Sequence, residues 1–164
     1  MSGSTENQMS GAPERAGGPN VLFTWTVAQR MLPLVGRIVD DLLRRRQDLA
    51  RMEVEKADLD RNRRTLAWPG RARRYQLQEE LTETEKQQRA AVAELEGLGV
   101  TLIDPGLGQV GFPTTVNNRR AFFSWRPGDN GLAFWHFAEE TARRPVPPTW
   151  TKGTELRRRT SSLP

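Results

Sequence analysis

The residues best equipped for chemistry in this chain are Trp135-His136 followed by Glu139, Glu140, Arg143 and Arg144. One imidazole, two carboxylates and two guanidinium groups at the exit of a strand suit a metal with open positions, an anion, or acid–base work. Alternation along the strand sets Leu132, Phe134 and His136 on one face and Ala133, Trp135 and Phe137 on the other. If the Trp135 face packs on a helix, His136 faces a concave, more open side. A turn at Ala138 would then swing Glu139 or Glu140 to the ring and bring Arg143 alongside. Trp135, His136, Glu139, Glu140 and Arg143 are therefore the candidate ligand-binding set, with no catalytic role assigned. The competing assignment is a histidine satisfied within a small sheet and followed by a short charged helix start.

Two other stretches invite a functional reading. The loop from Asp104 to Pro113 holds Gly106, Gly108 and Gly111 but lacks the Gly-Lys-Ser/Thr ending of a phosphate cradle and has no helix after it. A plain loop is the expectation. Arg71, Arg73 and Arg74, with Trp68 and Tyr75 available to stack, would suit nucleic acid. A solvated, salt-bridged helix surface is the favoured alternative. No nucleophile–base–orienter set is present, because there is one histidine, no cysteine and no serine in an elbow context.

Composition narrows the classes further. The 164 residues suit one domain with loose ends. The absence of cysteine removes disulfides and thiolate metal sites, and a single histidine removes multi-histidine centres, so no cofactor is expected. No apolar run approaches a membrane span of roughly 20 residues, and the polar first 20 residues have no signal-peptide core. A bacterial-type cytoplasm is the expected address. The net charge of +5 permits anionic contacts. Only three of the 25 basic residues are lysines, an arginine bias that genome base composition alone can produce.

The elements that must position these residues are two seven-residue repeats meeting at Trp68-Pro69-Gly70. Leu66, Leu59, Met52, Leu49, Leu42, Ile38, Val35, Met31 and Ala28 recur at three- and four-residue steps before it. Leu77, Leu81, Thr84, Gln88, Ala91, Leu95 and Leu98 do so after it. Such stripes are coiled-coil seams. Folding antiparallel about Gly70 sets Leu59 against Leu81 and Leu49 against Ala91. Residues 26–75 carry 13 basic and 7 acidic side chains, whereas residues 76–98 carry 2 and 6. A basic helix along an acidic one uses that split. Thr24 is the expected N-cap, and Pro33 predicts either a kink or a later helix start.

The first segment is apolar on several faces, and the C-terminal third is the element available to cover it. Val100 to Asp104 reads as a strand, Asn117-Asn118 as a turn, and Ala121 to Arg126 with Leu132 to Phe137 as an aromatic hairpin. The fold expected is α+β: a long antiparallel coiled-coil-like hairpin over 24–98, with a small antiparallel β-sheet over 99–137 packed at its base. Residues 1–20 and 147–164 are expected to be disordered tails around a domain spanning 21–146.

Several short motifs in register resemble a known family. Phe23-Thr24, Ala28 and Met31-Leu32-Pro33-Leu34-Val35 are similar to its opening F-T-x-x-E-A-x-x-x-L-P-L-V. Asp104-Pro105 with Gly108 to Pro113 resembles D-P-x-x-G-L-V-D-F-P. Ser124-Trp125, Gly128-Asp129 and Trp135-His136 resemble its C-W, G-E and Y-W-H. The family is the bacterial and archaeal domain of unknown function numbered twenty-two-oh-three, whose members are typically small soluble proteins without an assigned activity. The resemblance also implies acids and an Arg-x-Pro after Trp-His, which fall on Glu139, Glu140 and Arg143 before Pro145. This chain departs from the pattern where Gly111 replaces an aspartate, Phe137 replaces an acid and a Gly-Phe is missing. A binding-only or degenerate member is implied.

Three functions follow in order of preference. The first is a non-enzymatic interaction or scaffold protein, with a protein partner or self-association through the hairpin. The second is a small ligand- or metal-binding protein, or an enzyme, centred on His136. The third is nucleic-acid binding at the basic tip, which is less favoured.

Overall fold

The computed structural model describes residues 21–152. The terminal stretches 1–20 and 153–164, expected as disordered tails, lie outside the described residues. Helix α1 (Trp25–Arg61) opens at Thr24, whose hydroxyl accepts the Val27 N–H at 3.4 Å. It runs through Pro33 without ending there. A proline in a helix interior removes one backbone bond, and tertiary burial compensates. Ala28, Leu32, Val35, Ile38, Val39 and Leu42 are all buried around that point.

Helix α2 (Trp68–Gly97) returns antiparallel and buries Leu77, Leu81, Ala91 and Leu95. The reversal does not occur at Trp68-Pro69-Gly70, which forms the first turn of α2 with proline among its opening positions. Proline suits that place because the first helical N–H groups have no intrahelical partner. The chain instead turns over residues 62–67. The Asn62 N–H and side-chain amide both donate to Asp58 O, and the Thr65 N–H donates to Asn62 O at 2.9 Å.

Because the turn comes earlier, the helices are slid relative to a fold about Gly70. That fold would set Arg74 against Leu66, whereas Arg74 pairs with Asp60. Ala91 shares a groove with Ile38, Asp41 and Arg45 rather than facing Leu49. The displacement is close to one heptad, so both seams still meet.

Five strands follow as an antiparallel meander in the order β1-β2-β3-β4-β5. They are β1 (Thr101–Asp104), β2 (Gln109–Val116), β3 (Arg119–Trp125), β4 (Phe134–Phe137) and β5 (Arg144–Pro145). The glycine stretch is thus mostly strand, with only residues 105–108 looping. Asp104 caps that loop by accepting the Gly106 N–H at 2.8 Å. The β2–β3 hairpin turns on Asn117 and Asn118, at φ of 50° and 62°. Asparagine tolerates this left-handed pair, whose twist matches the flanking strands.

Val110, Phe112, Ala121, Phe123, Trp135 and Phe137 project from one sheet face into a core shared with the first half of α1, Ala91 and Leu95. Burial of such side chains contributes roughly 1.5–3 kcal/mol each. The Trp25 indole N–H donates to Leu132 O at 2.8 Å, and Gln29 accepts the Leu132 N–H at 2.8 Å, pinning the β3–β4 loop to α1. A short helix α3 (Pro148–Lys152) lies where a disordered tail is expected from 147. Trp150 holds it there, with ring centroids 6.2 Å from Phe123 and 5.2 Å from Trp135. No helix among the described residues is long and apolar enough to cross a membrane.

Candidate functional site

Strand parity separates the residues that the sequence groups together. Cross-strand partners share a face. Phe122 pairs with His136 and Ser124 with Phe134, so these four occupy the face turned away from the helices. Trp135 and Phe137 occupy the helix-facing side. The carboxylates after Ala138 follow Trp135 and Phe137, not His136. Arg119 lies 3.9 Å over the Phe137 ring and pairs with Glu139. Arg144 lies 5.3 Å over Trp135 and binds both Glu140 oxygens, at 2.9 and 2.8 Å. Cations over aromatic faces are favourable, and each acid fixes the cation that does this. The Arg119 hydrogen bond holds the Glu139 carboxyl below the usual carboxylate range.

His136 therefore has neither acid beside it. It is 2% exposed rather than open to a concave site. Its Nδ1 stands 2.8 Å from Phe137 O, which fixes the proton on that nitrogen. Its Nε2 is buried without a hydrogen-bond partner among the described residues. The ring packs beside Phe122 at 5.8 Å between centroids.

Arg143 does reach the outer face, where it meets Ser124 and Asp129 instead of His136. Its Nε donates to Ser124 Oγ at 3.2 Å and one terminal nitrogen to Ser124 O at 3.2 Å. The terminal nitrogens pair with Asp129, and the side chains of that ion pair are each 11% exposed. The buried Gln109 amide donates to Ser124 Oγ at 3.0 Å, and Asp129 accepts the Arg126 N–H at 3.1 Å. The Arg143 guanidinium also lies 4.2 Å over Phe134. This network ties β2, β3, the β3–β4 loop and the entry to β5 together, and its donors are spent on protein acceptors.

Reading residue types in a row misses Gln109, Ser124 and Asp129, because they lie on three separate segments. A signal was available in the motif positions, where Ser124 and Asp129 fall at the C-W and G-E matches. Gly111, where the resemblance implies an aspartate, is enclosed on this face. A Cβ there would stand 2.6 Å from Ile103 Cδ1 and 2.7 Å from Phe122 Cδ1. Two apolar side chains fill the space a carboxylate would need. Among the described residues, no group of three or more His, Cys, Asp or Glu is placed to hold a metal ion.

The hairpin tip is arranged differently. Arg73 pairs with Glu55 at 2.7 Å and Glu80 at 3.4 Å, and Arg74 pairs with Asp60 at 2.5 Å, as Lys56 does at 3.2 Å. Hydrogen bonds from Arg73 to Glu55, and from Arg74 and Lys56 to Asp60, hold both carboxyls below their usual range. Arg73 and Arg74 are thus bound within the hairpin. Arg63, Arg64 and Arg71 are exposed with no acidic partner among the described residues. Trp68 and Tyr75 on α2 are 70% and 66% exposed, and Val54 on α1 is 71% exposed.

A search of curated proteins and a search of solved structures each return no match. A family model described as "Uncharacterized conserved protein (DUF2203)" matches residues 21–146, from the entry to α1 through β5. That span takes in the hairpin, the sheet and the Gln109–Ser124–Asp129–Arg143 network, and the chain belongs to this family of uncharacterized conserved proteins.

Proposed function

We propose that this is a non-enzymatic interaction protein whose hairpin carries a docking surface for a protein partner at its outer end. One observation carries the reading. Trp68 and Tyr75, seven residues apart on one face of α2, are exposed at 70% and 66%, and Arg71 between them is exposed with no acidic partner among the described residues. Large rigid aromatics beside arginine are the side chains enriched in interface centres. Beyond the shared core, the inner seam of the hairpin is occupied by Leu77 and Leu81, which leaves its outer faces for contact. The sheet braces the base, and its polar network is spent internally. A protein partner is favoured over nucleic acid because Arg73 and Arg74 are consumed by Glu55, Glu80 and Asp60.

Placing a photo-crosslinking benzoylphenylalanine at position 75 in cells tests this reading. The expected product is a protein adduct that disappears when Trp68→Ala or Arg71→Ala is added. A nuclease-sensitive adduct, or none, overturns it.

A further inference from the structure

The outer face of α2 is divided by charge at Tyr75. Trp68 and Arg71 lie on one side of it, and Glu79 and Glu83 continue along the edge of the same face on the other, bordering the groove shared with Asp48 and Arg51 of α1. All five are exposed, while Leu77 and Leu81 bury the opposite face against α1. Neither Arg71 nor Glu79 has an ionic partner among the described residues, and Glu83 accepts only the Gln87 amide, at 3.2 Å. Arg71 and Glu79 are separated by about 12 Å along the helix, too far to pair within one chain.

An antiparallel copy removes that mismatch. Arg71 and Glu79 each lie four residues from Tyr75. A two-fold axis through Tyr75 therefore sets Arg71 of one protomer against the partner's Glu79, and repeats the pair on the other side. Trp68 then lies over the stretch around the partner's Glu83. Self-complementarity of this kind is what an isologous interface requires.

We propose that the partner of the α2 outer face is a second copy of this chain, docked antiparallel about Tyr75. This rests on the reading of the hairpin's outer end as a docking surface and names its occupant. A contact confined to one helix face is at the small end of specific interfaces. It depends on exposed charge, so the dimer is reversible and weakened by salt.

Sedimentation velocity on the purified full chain tests it. A monomer–dimer equilibrium that shifts to monomer at high salt is expected. Arg71→Glu and Glu79→Arg should each be monomeric, because each places like charges together twice. Mixing the two variants should restore the dimer, since every cross-pair then joins opposite charges. Tyr75→Cys supplies the chain's only thiol and should oxidise readily to a disulfide dimer. A wild-type chain that stays monomeric, a mixture that fails to re-associate, or a Tyr75→Cys variant that does not cross-link overturns the proposal. A monomeric chain whose position-75 photo-adduct contains a different protein removes self-docking and leaves the docking surface standing.

Discussion

Arg143 is the residue whose role changes most between sequence and structure. In the sequence it stands in a row with His136, Glu139 and Glu140. In the fold it belongs to Ser124 and Asp129, because the chain reverses after Phe137 and the acids bind cations on the opposite side of the sheet. Linear neighbours cannot reveal this, since strand parity sends adjacent side chains to opposite faces. The burial of Trp135 was legible from the alternation itself. The closure around His136 was not, because it depends on Phe122, a cross-strand partner set by register. Asp129→Ala should destabilise the protein by about 3 kcal/mol, as it leaves the mostly buried Arg143 guanidinium without its counter-charge. The double variant Asp129→Ala/Arg143→Met should cost less than the single one. Urea unfolding followed by circular dichroism measures both, and a double variant that costs as much as Asp129→Ala or more would contradict the stranded-charge account.

At the level of elements, the hairpin was legible because two heptad stripes can bury each other only along their seams. Its register was not, because a heptad repeat is satisfied equally well one repeat further on. The local chemistry of the turn decides between them. Asn62 and Thr65 close it, and Pro69 fits the first turn of α2 better than a reversal. The strand at Gln109–Val116 was obscured by glycines counted as loop formers. Gly111 is there because Ile103 and Phe122 crowd the backbone.

The ion pairs that fasten the outer hairpin also set a pH response. Glu55 and Asp60 have lowered pKa values in the folded state, through Arg73 and through Arg74 with Lys56. The unfolded chain then binds more protons between those lowered values and the usual carboxylate range. Stability is full above that range and falls as pH drops through the window. Thermal melts at stepped pH should show the midpoint falling in acid, and falling less in Glu55→Gln/Asp60→Asn. An identical acid response in that variant would assign the effect elsewhere, such as to Glu139 and Arg119.

For the molecule as a whole, the division of labour follows from where burial is concentrated. The first half of α1, the end of α2, the sheet and Trp150 share one core. The outer hairpin adds only its own seam and exposes the aromatics Trp68 and Tyr75. The α+β architecture and the packing of the aromatic sheet on α1 could be read from periodicity and composition. The exposure of Trp68 could not, because it depends on where the turn falls.

The most direct test compares two full-length variants in a host strain whose own copy is deleted and whose defect is measurable. One is Trp68→Ser/Arg71→Ser/Tyr75→Ser, and the other is His136→Leu, each first shown by thermal melting to be folded. If the outer hairpin is the working surface, the triple-serine chain should fail to restore growth and His136→Leu should restore it. Restoration by the triple-serine chain, with failure of a folded His136→Leu, would contradict the assignment and return function to the sheet.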